Sequence, residues 1–378
     1  MSNYLQWGQW TGDFKGQPSG VVTLSCDRNR PGEAFVTTAQ PDGIPAGRFD
    51  LKVNWTNREF SAETTRIRFH HPQSRGLVDA STNTDPNTSW PIKVTARGVL
   101  RGDAIEGSWT STHPSGERFE STFFVRNTAN DPAPRANRVL YWDEFKGLES
   151  NQQAKRGGRV FRGQGNASWR LRTSFHRHGR YDIERYAADC FPWLAERPEL
   201  DGKFDLQDAR KFGALLGFAQ HHGLPTPLLD WSKSPFVAAY FAFTGPPPEA
   251  TNGMVRIFEL NAFVWGRDTY QAQSISDPFP SLSVKAFEPV ANPRCEPQES
   301  VHLFCNIEDV EGLIAREKPR IEQKHGIQLP LLKVYDLPLA ERRNALRDLA
   351  DMGITASKLF PGEYGVCREA KERWLYLT

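Results

Sequence analysis

The sequence is poor in cysteine and lacks a long apolar run. Its 378 residues include five cysteines, an odd number without the spacing of a disulfide framework, so we expect a reducing compartment, the cytoplasm. No apolar run approaches the roughly 18 residues of a membrane span, and residues 1–7 show no leader pattern, so we expect no membrane partner. The cysteines are Cys26, Cys190, Cys295, Cys305 and Cys367.

The chain also lacks an excess of charge of either sign. Its 47 Lys and Arg residues and 45 Asp and Glu residues give a formal net charge of +2, so the overall charge does not require a nucleic-acid partner. Hydrophobic residues make up 38% of the sequence and charged residues 24%, which is typical of globular proteins. A chain of this length predicts two domains.

Residues 1–128 have the pattern of an all-β domain. Segments that alternate apolar and polar residues, such as 49–55 and 119–125, are separated by turn residues. We expect a small antiparallel sandwich or barrel. With 14 basic and 13 acidic residues and no catalytic cluster, this domain is interpreted as a docking or regulatory module for a protein partner. Residues 129–136 are polar and contain proline, which predicts a linker.

Residues 137–378 mix helix and strand patterns and predict an α+β domain. Ser234 and Pro235 predict the start of a helix, and the almost wholly apolar residues that follow predict that it is buried. Residues 182–195 also predict a helix, although Pro192 favours an early end.

Two motifs in this domain concentrate polar and rigid residues in short connections. They are Phe161-Arg162-Gly163-Gln164 and a longer run from Gln220 through His221-His222-Gly223 to Leu229-Asp230-Trp231-Ser232. Such residues collect where a loop is held for binding or chemistry. Together the motifs resemble those of the FRG domain, a bacterial module named for its Phe-Arg-Gly signature.

The resemblance extends to the C-terminal end and covers about residues 137–378, so it leaves out the N-terminal domain. Residues 292–298, 353–354 and 359–362 are similar to the later motifs of the family. Three places depart from the family pattern: Pro227, the pair Glu299-Ser300, and His302.

Arg162 is the first candidate for ligand binding. It lies at a strand end beside Gly163 and Gln164, and glycine lets a ligand approach the backbone closely. Residues 155–180 contain eight Lys and Arg residues and no Asp or Glu, so a guanidinium there can bind a phosphate. The alternative is a buried ion pair, with Asp230 as the carboxylate.

Asp230, Trp231 and Ser232 are the second group of candidates. Asp230 can bind a ligand, cap the following helix or pair with Arg162. Trp231 can stack on a flat ring or belong to the core. Ser232 is interpreted as a cap rather than a nucleophile, because no base is spaced to activate it.

The adjacent His221 and His222 follow a helical pattern, so one can face a cleft while the other faces solvent. Because they diverge by ~100°, they are poor metal ligands. Cys295, His302 and Cys305 lack the paired spacing of zinc ligands. We therefore expect no metal.

The order of these residues resembles the arginine–serine–glutamate layout of ADP-ribosyltransferases. That resemblance implies a similar fold, with Arg162 holding NAD as substrate and Ser232 as the middle residue. Gln298 takes the last position. A neutral amide cannot supply the negative charge that an oxocarbenium-like transition state favours, so Glu299 or Glu296 provides it, or the domain binds nucleotides without cleaving them.

Two functions remain open. The family implies an NAD-using effector of bacterial defence or toxicity, an ADP-ribosyltransferase or NAD glycohydrolase with a possible macromolecular acceptor. The alternative is a non-catalytic module for a nucleotide or nucleic acid, because aromatic residues alternate with the basic ones near Arg162. These aromatics are Phe161, Trp169, Phe175 and Tyr181.

Overall fold

Two β-sheets organise the computed structural model of the chain. It describes residues 7–16, 19–39, 46–71, 76–82, 90–148, 158–195, 209–246, 253–285 and 294–377. Residues 155–157 of the basic stretch and 292–293 of the later motif lie outside these ranges. In the described part of the chain, no helix has both the length and the apolar character needed to cross a bilayer.

The N-terminal sheet is an antiparallel barrel. Its strands are β1 (Gly8–Lys15), β2 (Gly20–Cys26), β3 (Glu33–Ala39), β4 (Gly47–Thr56), β5 (Glu59–His71), β6 (Gly76–Asp79), β7 (Lys93–Arg101), β8 (Ala104–Thr112) and β9 (Arg118–Arg126). Eight of them pair in the order β4-β3-β2-β1-β9-β8-β7-β5, and β4 pairs with β5 to close the barrel. Trp10, Leu24 and Val125 belong to its apolar core. The all-β prediction is confirmed, and the sheet closes on itself instead of forming a sandwich.

The second sheet lies in the C-terminal unit and is mixed. Its strands are β10 (Arg138–Val139), β11 (Arg159–Gln164), β12 (Leu228–Ser232), β13 (Met254–Asn261), β14 (Leu282–Lys285), β15 (Ser300–Cys305) and β16 (Leu332–Pro338). They are ordered β10-β16-β13-β11-β12-β15-β14, and the β10–β16 pair is parallel while the others are antiparallel. This agrees with a two-unit chain that mixes helices and strands in its second unit.

Helices surround the second sheet. They are α1 (Trp142–Lys146), α2 (Ser174–Arg177), α3 (Ile183–Ala195), α4 (Ala209–His221), α5 (Pro235–Thr244), α6 (Ala262–Asp268), α7 (Val310–His325), α8 (Arg342–Asp351), α9 (Ala356–Leu359) and α10 (Glu363–Glu372). Short 3₁₀ helices occupy Ala80–Thr82 and Leu339–Glu341, and a π-helix occupies Arg373–Leu377. As predicted, Ser234 caps α5, and its side chain accepts a hydrogen bond from the Val237 N–H.

Two local predictions differ from the structure. Helix α3 continues through Pro192, because the buried Phe191 packs its last turns against the core and offsets the one lost hydrogen bond. The segment containing Asp230 to Ser232 was predicted as part of a connection between helices, yet it is strand β12. The reason is its full pairing with β15, a non-local contact that outweighs the turn-forming prolines just before it.

The barrel and the C-terminal unit meet through buried ion pairs. Arg48 of β4 lies 2.7 Å from Asp182 and 3.3 Å from Glu184, and its side chain is only 8% exposed. Arg68 of β5 also contacts Glu184, at 2.9 Å. On the same junction, Asp27 Oδ1 accepts the main-chain N–H of Tyr181 at 2.7 Å. Each unit therefore supplies charged groups that neutralise those of the other, and loss of one partner would leave an unpaired charge at this interface.

Candidate ligand-binding cleft

A cleft of about 940 Å³ opens in the C-terminal unit beside β11 and β12. Residues of these strands, of α4 and α5, and of the segment 294–302 line it. Ligand pockets in proteins commonly measure roughly 300–1,000 Å³. The cleft is therefore large enough for a ligand of dinucleotide size.

Strand pairing places candidate side chains around this cleft. β11 meets β12 at Phe161 opposite Ser232, and β12 pairs with β15 so that Asp230 lies opposite His302. Arg162 follows Phe161, and its Nη1 donates to the Asp230 carbonyl oxygen at 2.5 Å. The structure thus brings Arg162 and Asp230 together in one cleft, as the sequence predicted.

The Arg162 guanidinium is incompletely satisfied by the protein. It binds the main chain of Asp230 and not its carboxylate, and its Nε is buried with no hydrogen-bond partner among the described residues. Burial lowers the pKa of Arg162, Asp230 opposes that effect, and Arg177 lowers the pKa further. A partly buried cation whose Nε has no partner among the described residues would be stabilised by an added anion.

Arg177, the last residue of α2, is a second cation on the cleft wall, and its side chain is exposed. Its Nη1 donates to the Arg172 carbonyl oxygen at 2.8 Å, and burial and then the Arg172 charge lower the pKa of Arg177. Arg172 and Arg170, by contrast, form ion pairs with acidic residues of the segment 308–311. Within the described ranges, neither Arg162 nor Arg177 lies at ion-pair distance from a carboxylate.

Asp230 and His302 form a charged pair on the wall of the cleft. The Asp230 Oδ1 lies 3.0 Å from His302 Nδ1, and its Oδ2 accepts a hydrogen bond from Gln220. Burial raises the pKa of Asp230, but His302 and the other donors outweigh burial and lower it below its usual value. Burial lowers the pKa of His302, but hydrogen bonds to Asp230 and Cys295 outweigh burial and raise it to about 9.

This pair predicts a loss of stability at alkaline pH. Since the folded state raises the pKa of His302 from 6.5 to about 9, its contribution is complete below pH 6.5 and is lost as the pH rises through 9. Asp230 is 56% exposed in the open cleft, so water screens the pair. We expect the pair to contribute about 1–2 kcal/mol to the free energy of unfolding.

Urea unfolding at pH 6 and pH 9.5 measures this effect when wild type is compared with Asp230→Asn. The free energy of unfolding of the wild type should fall more between the two pH values than that of the variant. Equal pH dependence of the two proteins would show that the pair does not hold the proton on His302.

Ser232 and Gln298 line the cleft, but their side chains have structural partners. Ser232 Oγ donates to the Gln298 carbonyl oxygen at 2.7 Å and accepts the Ser234 N–H at 3.0 Å. Gln298 Nε2 donates to the Leu359 carbonyl oxygen at 2.9 Å. Trp231 also lines the cleft and is 2% exposed within the core. These contacts fix the wall of the cleft.

The structure does not bring Glu296 and Glu299 into the cleft. Glu296 is exposed and neither residue belongs to the wall. Glu299 has a φ of 46°, in the left-handed region, and its carbonyl oxygen accepts the Lys233 N–H at 3.0 Å. Of the two histidines, His221 lines the cleft while His222 is exposed outside it, which is the divergence expected of adjacent helical residues.

Gly163 lines the cleft and is also required by helix packing. A Cβ atom at this position would lie 1.9 Å from the Ala238 carbonyl oxygen of α5. Only glycine therefore lets α5 pack this closely on β11. Gln164 is 8% exposed, and its Oε1 is buried without a hydrogen-bond partner in the described part of the chain.

The cleft also contains residues that were not predicted from the sequence as site residues. The predicted linker contributes 129–131, and its start is held by Arg170 and Arg172, which donate to the carbonyl oxygens of Thr128 and Ala129. The many basic residues near Arg162 in the sequence are the pattern that indicates Arg170, Arg172 and Arg177 as further site residues. The other additions to the wall include Trp169, Gln220, Phe241, Arg294, His302 and Phe360.

Comparison with protein families agrees with the motifs. Residues 158–251 match a family model described as the FRG domain. No curated protein matches the chain. The matched segment includes Arg162, Arg177 and Asp230 and ends before β15. No cluster of three or more metal-binding side chains occurs in the ranges that the structure describes.

Proposed function

We propose that this chain, which contains an FRG domain, binds a nucleotide through its phosphates in the cleft. The observation that carries the proposal is a pair of guanidiniums on the cleft wall, the partly buried Arg162 and the exposed Arg177, neither of which lies at ion-pair distance from a carboxylate in the described chain. Burial and a neighbouring positive charge lower the pKa of each guanidinium. A phosphate bound between them would supply the missing charge and the geometry that guanidinium prefers.

The size and lining of the cleft favour a ligand with flat rings as well as phosphates. Trp169 is 43% exposed on the cleft wall, and Phe241 lies on the same wall. An exposed aromatic face can stack on an adenine or nicotinamide ring. NAD, with two phosphates and two such rings, is therefore the first ligand to test, in agreement with the family resemblance.

The geometry supports binding more directly than cleavage. An oxocarbenium-like transition state needs a nearby carboxylate, and neither Glu296 nor Glu299 lines the cleft. NAD cleavage, a transferase-like fold and a role in bacterial defence or toxicity rest on the resemblance alone. Nucleic-acid binding has less support, because Phe161, Phe175 and Tyr181 are at most 2% exposed and cannot stack on bases.

Isothermal titration of the full chain with NAD, ADP, adenosine and a single-stranded oligonucleotide tests this proposal. NAD and ADP should bind at least about 100-fold more tightly than adenosine, because charged hydrogen bonds contribute roughly 1.5–3 kcal/mol each. Equal affinity for adenosine, or tight binding of the oligonucleotide alone with a steep salt dependence, would contradict it. Nicotinamide release in the same samples shows whether bound NAD is cleaved.

Removal of the exposed ring gives a separate prediction. Trp169→Ala should weaken NAD binding about tenfold, because stacking of a base on an aromatic side chain is worth roughly 1–3 kcal/mol. Trp193→Ala is the matched control, since Trp193 is 72% exposed on α3 and does not line the cleft. Equal titration curves for wild type and Trp169→Ala would mean that the ring of the ligand lies elsewhere.

A further inference from the structure

Three side chains next to the arginine pair form a connected thiol–imidazole–carboxylate series. Cys295 Sγ lies 4.0 Å from His302 Nε2, and His302 Nδ1 lies 3.0 Å from Asp230 Oδ1. One imidazole nitrogen therefore faces a thiol while the other is oriented by a carboxylate. This is the arrangement that activates a cysteine nucleophile.

Backbone hydrogen bonds hold the three residues in place, and there is space beside the His302 imidazole. Asp230 and His302 are cross-strand neighbours in β12 and β15, and the Cys295 carbonyl oxygen accepts the Ser300 N–H at 2.9 Å. Gly217 of α4 also lines the cleft, and a Cβ there would lie 4.0 Å from His302 Nε2. The absence of a side chain at Gly217 leaves room beside the imidazole for a reacting group.

Cys295 differs from the other cysteines of the described chain. Cys26 and Cys305 are fully enclosed, and burial raises the pKa of each thiol to about 12. Cys367 is exposed on α10. Cys190 and Cys295 are both partly exposed, but Cys295 follows the cleft-wall residue Arg294 in the chain and its sulfur contacts the imidazole of the cleft-wall residue His302. It therefore combines partial access with a neighbouring imidazolium, which favours the thiolate form of a cysteine.

We propose that Cys295 is a nucleophile for acyl transfer, with His302 as the proton carrier and Asp230 as the residue that orients it. Below pH 9 the proton shared by the pair lies on His302, and the Cys295 sulfur attacks the carbonyl carbon of an ester or thioester as the thiolate beside this imidazolium. The bond from that carbon to the leaving group breaks, and the leaving group takes the proton from His302. Water then attacks the acyl carbon, gives a proton to His302 and releases a carboxylic acid, which restores the Cys295 thiolate beside the protonated His302.

The cleft also indicates the class of substrate. Arg162 donates a hydrogen bond to the Asp230 carbonyl oxygen, and the positive charge of Arg177 lowers the pKa of Arg162. Cys295 does not itself line the cleft, but its sulfur lies 4.0 Å from His302, which does. An acyl compound whose leaving group carries a phosphate would therefore place its carbonyl beside His302 and its phosphate at these arginines. This statement about the substrate rests on the proposed nucleotide site, whereas the reactivity of Cys295 does not.

Alkylation by iodoacetamide, followed by peptide mass spectrometry, tests the reactivity of Cys295. At neutral pH, Cys295 should be labelled at least about tenfold faster than Cys367 in the same native sample, despite its lower exposure. His302→Gln should reduce labelling of Cys295 below that of Cys367 and leave the Cys367 rate unchanged, which serves as an internal control of folding. Labelling of Cys295 that is no faster than that of Cys367, or that is unaffected by His302→Gln, would overturn the proposal.

Reaction with p-nitrophenyl acetate tests the acyl step itself. The wild type should release p-nitrophenol and carry an acetyl group on Cys295 in quenched samples, and Cys295→Ser should do neither. A rapidly alkylated Cys295 that never carries an acetyl group would overturn acyl transfer. Both reagents lack phosphate, so a failed result here is separate from a failure of nucleotide binding.

Discussion

Arg162→Ala should reduce the affinity of the chain for NAD by about 100-fold or more. The substitution removes a guanidinium whose Nε is buried without a partner in the described chain and which the account assigns to the ligand phosphate. Charged hydrogen bonds of this kind are worth roughly 1.5–3 kcal/mol each, and two parallel bonds add geometric specificity. Arg162→Lys keeps the charge but not the bidentate geometry, so it should recover only part of the affinity.

Matched variants separate this effect from damage to the fold. Arg162 also donates to the Asp230 carbonyl oxygen, so its loss can disturb β12. Arg177→Ala removes the second cation and one hydrogen bond to a main-chain oxygen, and it should weaken NAD binding at least about tenfold. Arg101→Ala, on an exposed barrel position, should bind NAD as the wild type does. Full NAD affinity in both cleft variants would remove the basis of the proposed function.

Arg48→Met should lower the free energy of unfolding by about 3 kcal/mol, because it removes a buried cation and leaves the mostly buried Asp182 without an ion-pair partner in the described chain, while Arg68 still pairs with Glu184. Arg48 contacts Asp182 and Glu184 across the junction and Asp50 within the barrel. Burial lowers the pKa of Arg48, but these three carboxylates outweigh burial and raise it, which marks the strength of their interaction. Chemical denaturation followed by fluorescence measures the change.

Arg66→Met is the matched control for the junction. Arg66 is 56% exposed and pairs with Asp79 within the barrel, at 2.9 Å. Exposed ion pairs contribute roughly 0–1 kcal/mol, so this variant should lose at most about 1 kcal/mol. If Arg48→Met is no more destabilised than Arg66→Met, the two units are not held together by the buried ion pairs.

The sequence predicted most of the local structure and the position of the main motifs. Alternation of apolar residues identified the barrel strands, and Ser234 with Pro235 identified the start of α5. These signals are local, so a single sequence contains them. The closure of the barrel depends on the pairing of β4 with β5 and of β1 with β9, whereas alternation alone fits a sandwich and a barrel equally.

Long-range contacts explain what the sequence did not predict. Asp182 lies 134 residues after Arg48, and no local pattern links them. His302 was noted as a departure from the family motif, but its pairing with Asp230, 72 residues earlier, follows only from the β12–β15 register. Glu299 was predicted near the ligand from motif order, yet its turn conformation and its main-chain bond to Lys233 belong to a segment beside the cleft. Sequence order alone does not specify which side of a strand end faces a cavity.

A crystal structure of the full chain with NAD would test the central claim most directly. The account predicts that the NAD phosphates lie within hydrogen-bond distance, about 3 Å, of the Arg162 and Arg177 guanidiniums, with a ring against Trp169. NAD bound elsewhere on the chain, or bound in the cleft with its phosphates directed away from both arginines, would contradict it.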